Sequence, residues 1–329
     1  MRLEPFTDLH LAGSARLLAA RHQAQRRVEP LLPADLEDEG ICRALLARSV
    51  HEDASGVAAV SGSEVLGYLL GTPIDDVRGR HVWIRLEHHG WADGRADVLA
   101  QLYAHLADGW VRDQRFQHHA LVPVTDPGPW LSLCFAHEQV HALRETAGAA
   151  PSPARGPALS GAGHWRFRVR RAGPEDIDAI EPLIGLIYTA HAASPVFTYI
   201  AREEYEGMKD GTLELLREQA TAYWIAEADG EVVAYLCMRP VGEAASTVKP
   251  RGSVELALAA THPRARGSGV GVALFEHALA WARDQGYAVC VTDWKMANPS
   301  SSTFWPKRGF RPFAYRLRRV IDPRLSGDG

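Results

Sequence analysis

Arg264, Arg266, Gly267, Gly269 and Gly271 fall within the eight residues RARGSGVG, a set suited to binding an anion. Glycine has no side chain to shield its N–H group and adopts tight turns that other residues resist. The stretch VALFEHALAWARDQ follows, with Val272, Leu274, Phe275, Leu279 and Trp281 at roughly helical spacing and Gly286 as a stop signal. A helix starting there turns unbonded N–H groups and the positive end of its dipole toward the glycine turn, an arrangement that favours a phosphate. Ser268 and Val270 supply the remaining backbone of the turn.

Spacing narrows the choice of phosphate ligand. GKS and GKT are absent, which argues against a nucleotide P-loop. A dinucleotide fingerprint, GxGxxG, fits only loosely, because its third glycine position falls on Leu274. The segment does match R-x-x-G-x-G, through Arg266, Gly269 and Gly271. Upstream, SVELALAA (253–260) reads as a strand carrying Glu255; downstream, YAVCVTDW reads as a second strand, followed by ANPSSSTFWPKRGF with Asn298, Trp305, Gly309 and Phe310. This order of strand with acid, glycine turn, helix, strand, Asn-led short helix and Gly-Phe strand resembles the GCN5-related N-acetyltransferases (GNAT) over residues 253 to about 320.

The resemblance implies a chemistry. Members bind acetyl-CoA and let an amine attack the thioester directly, with no acyl-enzyme, so no catalytic cysteine is required. An alkylammonium with a pKa near ~10.4 must first lose a proton, and Glu255 is the candidate base. The same residue also reads as an ordinary salt-bridged strand carboxylate. The resemblance places the pyrophosphate on residues 264–271. It sets the pantetheine amides against the backbone of Ala259, Ala260 and Thr261, with Asn298 and Ser301 on the other side. One departure stands out: Trp305 occupies the position where many members carry a tyrosine acid, and an indole N–H is no acid. Trp305 then reads as a lining of the CoA channel, and Tyr315, with Tyr235, as a substitute acid. Asn298 with Pro299 is equally an ordinary helix cap.

The chain repeats itself. VAAVSGSEVLGYLLGTP (57–73) is similar to IAEADGEVVAYLCMRP (225–240), PFTDLHLAGSARLLAARH to RRAGPEDIDAIEPLIGLIYTAH, and WLSLCFAHEQVHALRE to FWPKRGFRPFAYRLRR, all at an offset of about half the chain. Two tandem domains of an α/β class follow, each a twisted mixed sheet flanked by helices: residues 1–147 and 164–329. They are joined by a linker at 148–163 rich in Ala, Pro, Gly and Ser. The first copy offers LEHHGWADGRADVLAQLY in place of RARGSGVG, with no closely spaced glycine turn, and reads as degenerate.

Other features bound the function. The doublets His88–His89 and His118–His119 send neighbouring side chains to opposite faces, so no metal site is expected. Cys42, Cys134, Cys237 and Cys290 are scattered and read as reduced core residues. A net charge of -4 gives no basis for nucleic-acid or membrane partners, and the N-terminus has no apolar leader, so a cytoplasmic protein is expected. The segment 188–217 carries Glu203, Glu204, Glu206 and Asp210, which read either as an acidic rim for a cationic amine or as a solvated helix face. The expected acceptor is a small-molecule or peptide amine, and the acyl group acetyl or a longer chain. A CoA-binding module without turnover is the alternative.

Overall fold

Alternating burial along a hairpin sets the architecture of the first half. Val57, Ala59 and Leu69 pack on one side of the strands, whereas Ala58, Val60, Tyr68 and Leu70 pack on the other, so helices must cover both faces. The computed structural model describes residues 1–52, 54–76, 78–147, 166–199, 201–242 and 247–326.

In chain order the first elements are β1 (Arg2–Pro5), α1 (Asp8–Val28), α2 (Glu39–His51), β2 (Ser55–Ser61), β3 (Glu64–Asp76), β4 (Gly79–Ile84), β5 (His89–Trp91), α3 (Val98–Arg112), β6 (Gln117–Pro123), α4 (Gly128–Ser132) and β7 (Ala136–Glu145). The second series is β8 (Arg168–Arg171), α5 (Ile177–Ala192), α6 (Arg202–Glu206), α7 (Met208–Arg217), β9 (Ala222–Ala228), β10 (Glu231–Pro240), β11 (Val254–Thr261), α8 (Val270–Asp284), β12 (Val289–Lys295), α9 (Pro299–Phe304) and β13 (Arg311–Val320). The two series run through nearly the same order of elements, as the internal repeats predict.

The chain divides into two compact units, Met1–His141 with Pro312–Gly329, and Ala142–Arg311. The sequence boundary assigned the last strand to the second domain. Its ladder places it in unit 1, because β13 pairs antiparallel with β6 from Ala314↔Pro123 to Val320↔Gln117. The stretch 148–163, read as a linker, lies outside the described residues.

In unit 1 the strands run β1-β2-β3-β4-β6-β13, antiparallel except for the parallel pair β4–β6. Leu11, Leu18 and Leu46 from α1 and α2 cover the Tyr68 face, and Leu99, Leu102 and Trp110 from α3 cover the Leu69 face with Trp130. Unit 2 repeats the plan as β8-β9-β10-β11-β12, again with one parallel pair, β11–β12. Ile180, Leu183 and Ile184 of α5 and Leu216 of α7 pack on Tyr223, Ile225, Tyr235 and Cys237. Three of the cysteines are core residues as expected, and burial pushes the Cys237 and Cys290 thiols up to about 12; Cys134 is exposed instead. Among the described residues no helix is long and apolar enough to cross a membrane.

The histidine doublets sit in the unit 1 core. His118 and His119 do diverge across β6: His118 bonds the Tyr103 hydroxyl at 2.7 Å and the Arg115 carbonyl, while His119 Nδ1 lies 3.2 Å from Glu138. His88 is 0% exposed, and among the described residues neither of its ring nitrogens has a hydrogen-bond partner. Burial lowers His88 and His118 to about 4, so both are neutral in the fold. The unfolded chain takes up these protons as pH falls through about 6.5. Stability is therefore fully present above that value and declines toward pH 4. We expect a drop from pH 7 to 5 to cost about 2 kcal/mol per histidine, read as a lowered urea midpoint. His88→Phe should flatten that dependence. An unchanged midpoint in the wild type between pH 7 and 5 would refute the assignment. Among the described residues no group of three or more His, Cys, Asp or Glu is arranged to hold a metal ion.

Candidate active site

The site in unit 2 begins with a strand that leaves its neighbour. β11 pairs with β12 only at Val254↔Cys290 and Glu255↔Val291; beyond these, the Thr292 hydroxyl reaches the Leu256 carbonyl at 3.0 Å. On the other edge, β10 places Cys237 opposite Leu258 and Met238 opposite Leu256, so Ala257 is an extra residue, a bulge that re-aims the strand. Ala259, Ala260 and Thr261 lie past the bulge, half-buried, on the diverging part of β11. The splay creates a slot whose β12-side edge presents backbone groups to a ligand.

At the end of β11 the chain turns through two left-handed glycines, Gly267 (φ 79°) and Gly269 (φ 87°), and enters α8 with Gly269 as N-cap. Gly271 is different. It lies in the first turn of α8 with ordinary backbone, and a Cβ there would sit 3.4 Å from the Thr261 hydroxyl and 3.8 Å from the Phe304 ring. Its smallness allows close approach, not the turn. At the start of α8 the Val272 and Ala273 N–H groups both bond the Gly269 carbonyl at 3.0 Å, and the Gly271 N–H has no partner among the described residues. Ser268 braces it from within, its hydroxyl donating to the Ala265 carbonyl at 2.7 Å and accepting from the Val270 N–H at 3.4 Å, while the Val270 side chain is buried. Arg264 is paired with Glu231. Arg266 donates from Nε to the Thr261 carbonyl at 3.3 Å and meets no carboxylate among the described residues, leaving its charge for the loop.

Asn298 is the N-cap of α9, its Oδ1 accepting from Ser300 N at 3.1 Å and from Ser301 N at 3.4 Å. Trp305 is buried. It is 8% exposed within an aromatic cluster of Phe275, Phe304 and Phe310, with ring centroids 4.8–5.8 Å away. Tyr235 is buried against Tyr223, and burial pushes its hydroxyl far up. Tyr315 belongs to unit 1, where it pairs with Val122 and its ring meets His137 edge-on at 4.6 Å. Unit 2 thus brings together Glu255, the β11 edge, the loop and Asn298, but neither tyrosine as an exposed acid.

Glu255 stands on the floor of a cleft of about 380 Å³ lined by Glu218, Thr221, Arg239, Val241 and Lys249 among others. Its carboxylate takes Arg239 Nε at 2.9 Å and Lys249 Nζ at 2.5 Å. Burial works to raise the Glu255 carboxyl, but the hydrogen bond and charge of Lys249, with those of Arg239, outweigh it and hold the group below its ordinary range. It is an oriented, ionised carboxylate. Sequence spacing missed Arg239 and Lys249, because Arg239 reaches Glu255 only through the β10–β11 register. The acidic residues of 203–210 do not line the cleft: Glu203, Glu206 and Asp210 are exposed, and Glu206 pairs with Arg202.

Unit 1 closes the corresponding places with its own side chains. Past the short β4–β6 ladder, His89 Nε2 bonds the Leu121 carbonyl at 2.8 Å, and Arg21 holds the Leu86 and His89 carbonyls. Only Gly94 is left-handed between 85 and 97, and Asp97, paired with Arg95 at 3.0 Å, brings a negative charge to the start of α3.

Residues 187–310 match the acetyltransferase (GNAT) family. A GNAT-like domain therefore lies within unit 2. N-acetyltransferase 8 of Mus musculus is 29% identical over 120 residues, 36% of this chain and 52% of that protein. N-acetyltransferase 8B of Rattus norvegicus is 30% identical over 138 residues, 41% of this chain and 61% of the relative. The chain therefore spans about half the length of the relatives it matches. Two solved GNAT structures share the fold over nearly the whole chain. A GCN5-related N-acetyltransferase from Sphaerobacter thermophilus has a TM-score of 0.59 and 14% identity, covering 98% of this chain and 96% of its own. A tandem GNAT protein from the clavulanic acid biosynthesis pathway has a TM-score of 0.52 and 15% identity, covering 98% and 99%. The tandem GNAT architecture read from the internal repeats is the observed one.

Proposed function

We propose that unit 2 transfers an acyl group, acetyl in the first instance, from acyl-CoA to the amine of a small molecule or peptide by direct attack. The observation that carries this reading is the convergence, within one unit, of a splayed β11 edge, a left-handed glycine loop at a helix start and an ionised carboxylate in a cleft. In this reading the loop N–H groups and Arg266 receive the pyrophosphate, and the backbone of Ala259 to Thr261 receives the pantetheine amides. The amine nitrogen forms the new bond to the thioester carbonyl carbon as the C–S bond breaks, and Glu255 takes the ammonium proton directly or through water. With Trp305 in the core and Tyr235 buried, no exposed acid is assigned; a thiol of pKa near ~8.5 departs tolerably as the thiolate.

The lack of an assigned acid is also the one observation favouring a CoA-binding module without turnover. Calorimetric titration with acetyl-CoA and ATP, followed by amine-dependent release of free CoA thiol, separates the readings. We expect one acetyl-CoA per chain, no ATP binding, and thiol release that depends on added amine. Binding without release would support the module. No acetyl-CoA binding would overturn both readings, and two sites per chain would overturn the degenerate assignment of unit 1.

A further inference from the structure

We infer that the acceptor is an amino acid, an amine bearing a carboxylate on the same small skeleton, received by Arg239 and Lys249 beside Glu255. The inference rests on the acyl-transfer reading of unit 2 and names its substrate class. A single buried carboxylate needs one cation to balance it, yet Glu255, with its side chain 8% exposed, has two. Both cations reach solvent through the cleft, Arg239 at 44% and Lys249 at 35% side-chain exposure. Each gives one donor to Glu255 and has others beyond it.

Arg239 spends only its Nε on Glu255; among the described residues its two Nη groups have no partner. A guanidinium edge left open in this way matches the two oxygens of a carboxylate with parallel N–H donors, a fit that an ammonium or a neutral group cannot reproduce. The remaining lining supplies the opposite sign at a different place. Glu218 is exposed at the rim, with its carboxylate accepting from the Thr221 hydroxyl at 2.6 Å, and Ala220, Pro240, Val241 and Gly242 are uncharged. A cleft with two cations on one side and carboxylates at floor and rim complements a zwitterion better than a simple cation. A purely cationic amine would meet Arg239 and Lys249 as like charges, and the further acidic residues Glu203, Glu206 and Asp210 of α6 and α7 are exposed outside the cleft.

The test uses the full chain with acetyl-CoA and follows CoA thiol release with each of the twenty amino acids, its amide and its decarboxylated amine. At least one free amino acid should exceed its own amide by 10-fold or more in kcat/KM. Arg239→Gln should collapse that ratio toward one, and Arg239→Lys, which keeps the charge but not the fork, should restore part of it, guarding against a mere folding defect. Equal or better use of the amides and simple amines, or a ratio that survives Arg239→Gln, overturns the inference while leaving acyl transfer intact. If acetyl-CoA is not bound, the acyl-transfer reading falls. In that case, or if no pair turns over, calorimetry with N-acetyl amino acids and their amides decides: tighter binding of the acids, lost in Arg239→Gln, supports the carboxylate site, and equal binding overturns it.

Discussion

Glu255→Gln should lower amine-dependent CoA release by roughly 10²–10⁴-fold, the usual contribution of a positioned proton acceptor, while acetyl-CoA still binds. Glutamine keeps the size of the side chain, but its single oxygen can replace only one of the two that accept from Arg239 and Lys249, and it cannot take a proton from the attacking ammonium. The loss should fall on kcat, because the glycine loop proposed to receive the cofactor lies at the far end of β11. The pH profile supplies an independent reading. Lys249 and Arg239 hold the Glu255 carboxyl below its ordinary range, so the acid limb of kcat/KM should lie low. Removing the Lys249 hydrogen bond and charge in Lys249→Met should move that limb to higher pH. Activity of Glu255→Gln within a few-fold of wild type would make Glu255 a structural ion-pair partner and leave the proton to bulk water.

What was legible in the sequence was local. Glycines at 267 and 269, apolar spacing through Val272 to Trp281, and the Gly286 stop all act within a few residues, and the turn and α8 follow from them. The repeats gave the tandem plan because each copy must bury the same two sheet faces. Three things depended on long-range packing. Trp305 looked like a channel residue by alignment of motif positions, but Phe275 and Phe310 enclose it. Tyr315 followed the Gly-Phe pair in sequence, yet chain order does not dictate which sheet a last strand joins, and β6 takes it. Arg239 gave no motif signal at all. Its role comes from standing opposite Glu255 in a ladder shifted by the Ala257 bulge, a displacement that no residue pattern announces.

Gly269→Glu should abolish measurable acetyl-CoA affinity. The residue caps α8 at φ 87°, a conformation costing an L side chain roughly 1–2 kcal/mol, so the loop either strains or relaxes away from its shape. The new carboxylate would also sit at the positive end of α8, where it competes for the N–H groups and repels a pyrophosphate. Losing two charge-assisted hydrogen bonds alone, at roughly 1.5–3 kcal/mol each, weakens binding by more than about 100-fold. Gly286→Glu is the matched control, since Gly286 has the same left-handed backbone (φ 86°) just beyond the opposite end of α8. It carries comparable strain and charge but no cradle, and should bind acetyl-CoA as the wild type does. Equal loss in both variants would trace the effect to the stability of α8, and retention in Gly269→Glu would remove the loop from the binding site, because a phosphate held elsewhere would not sense the substitution.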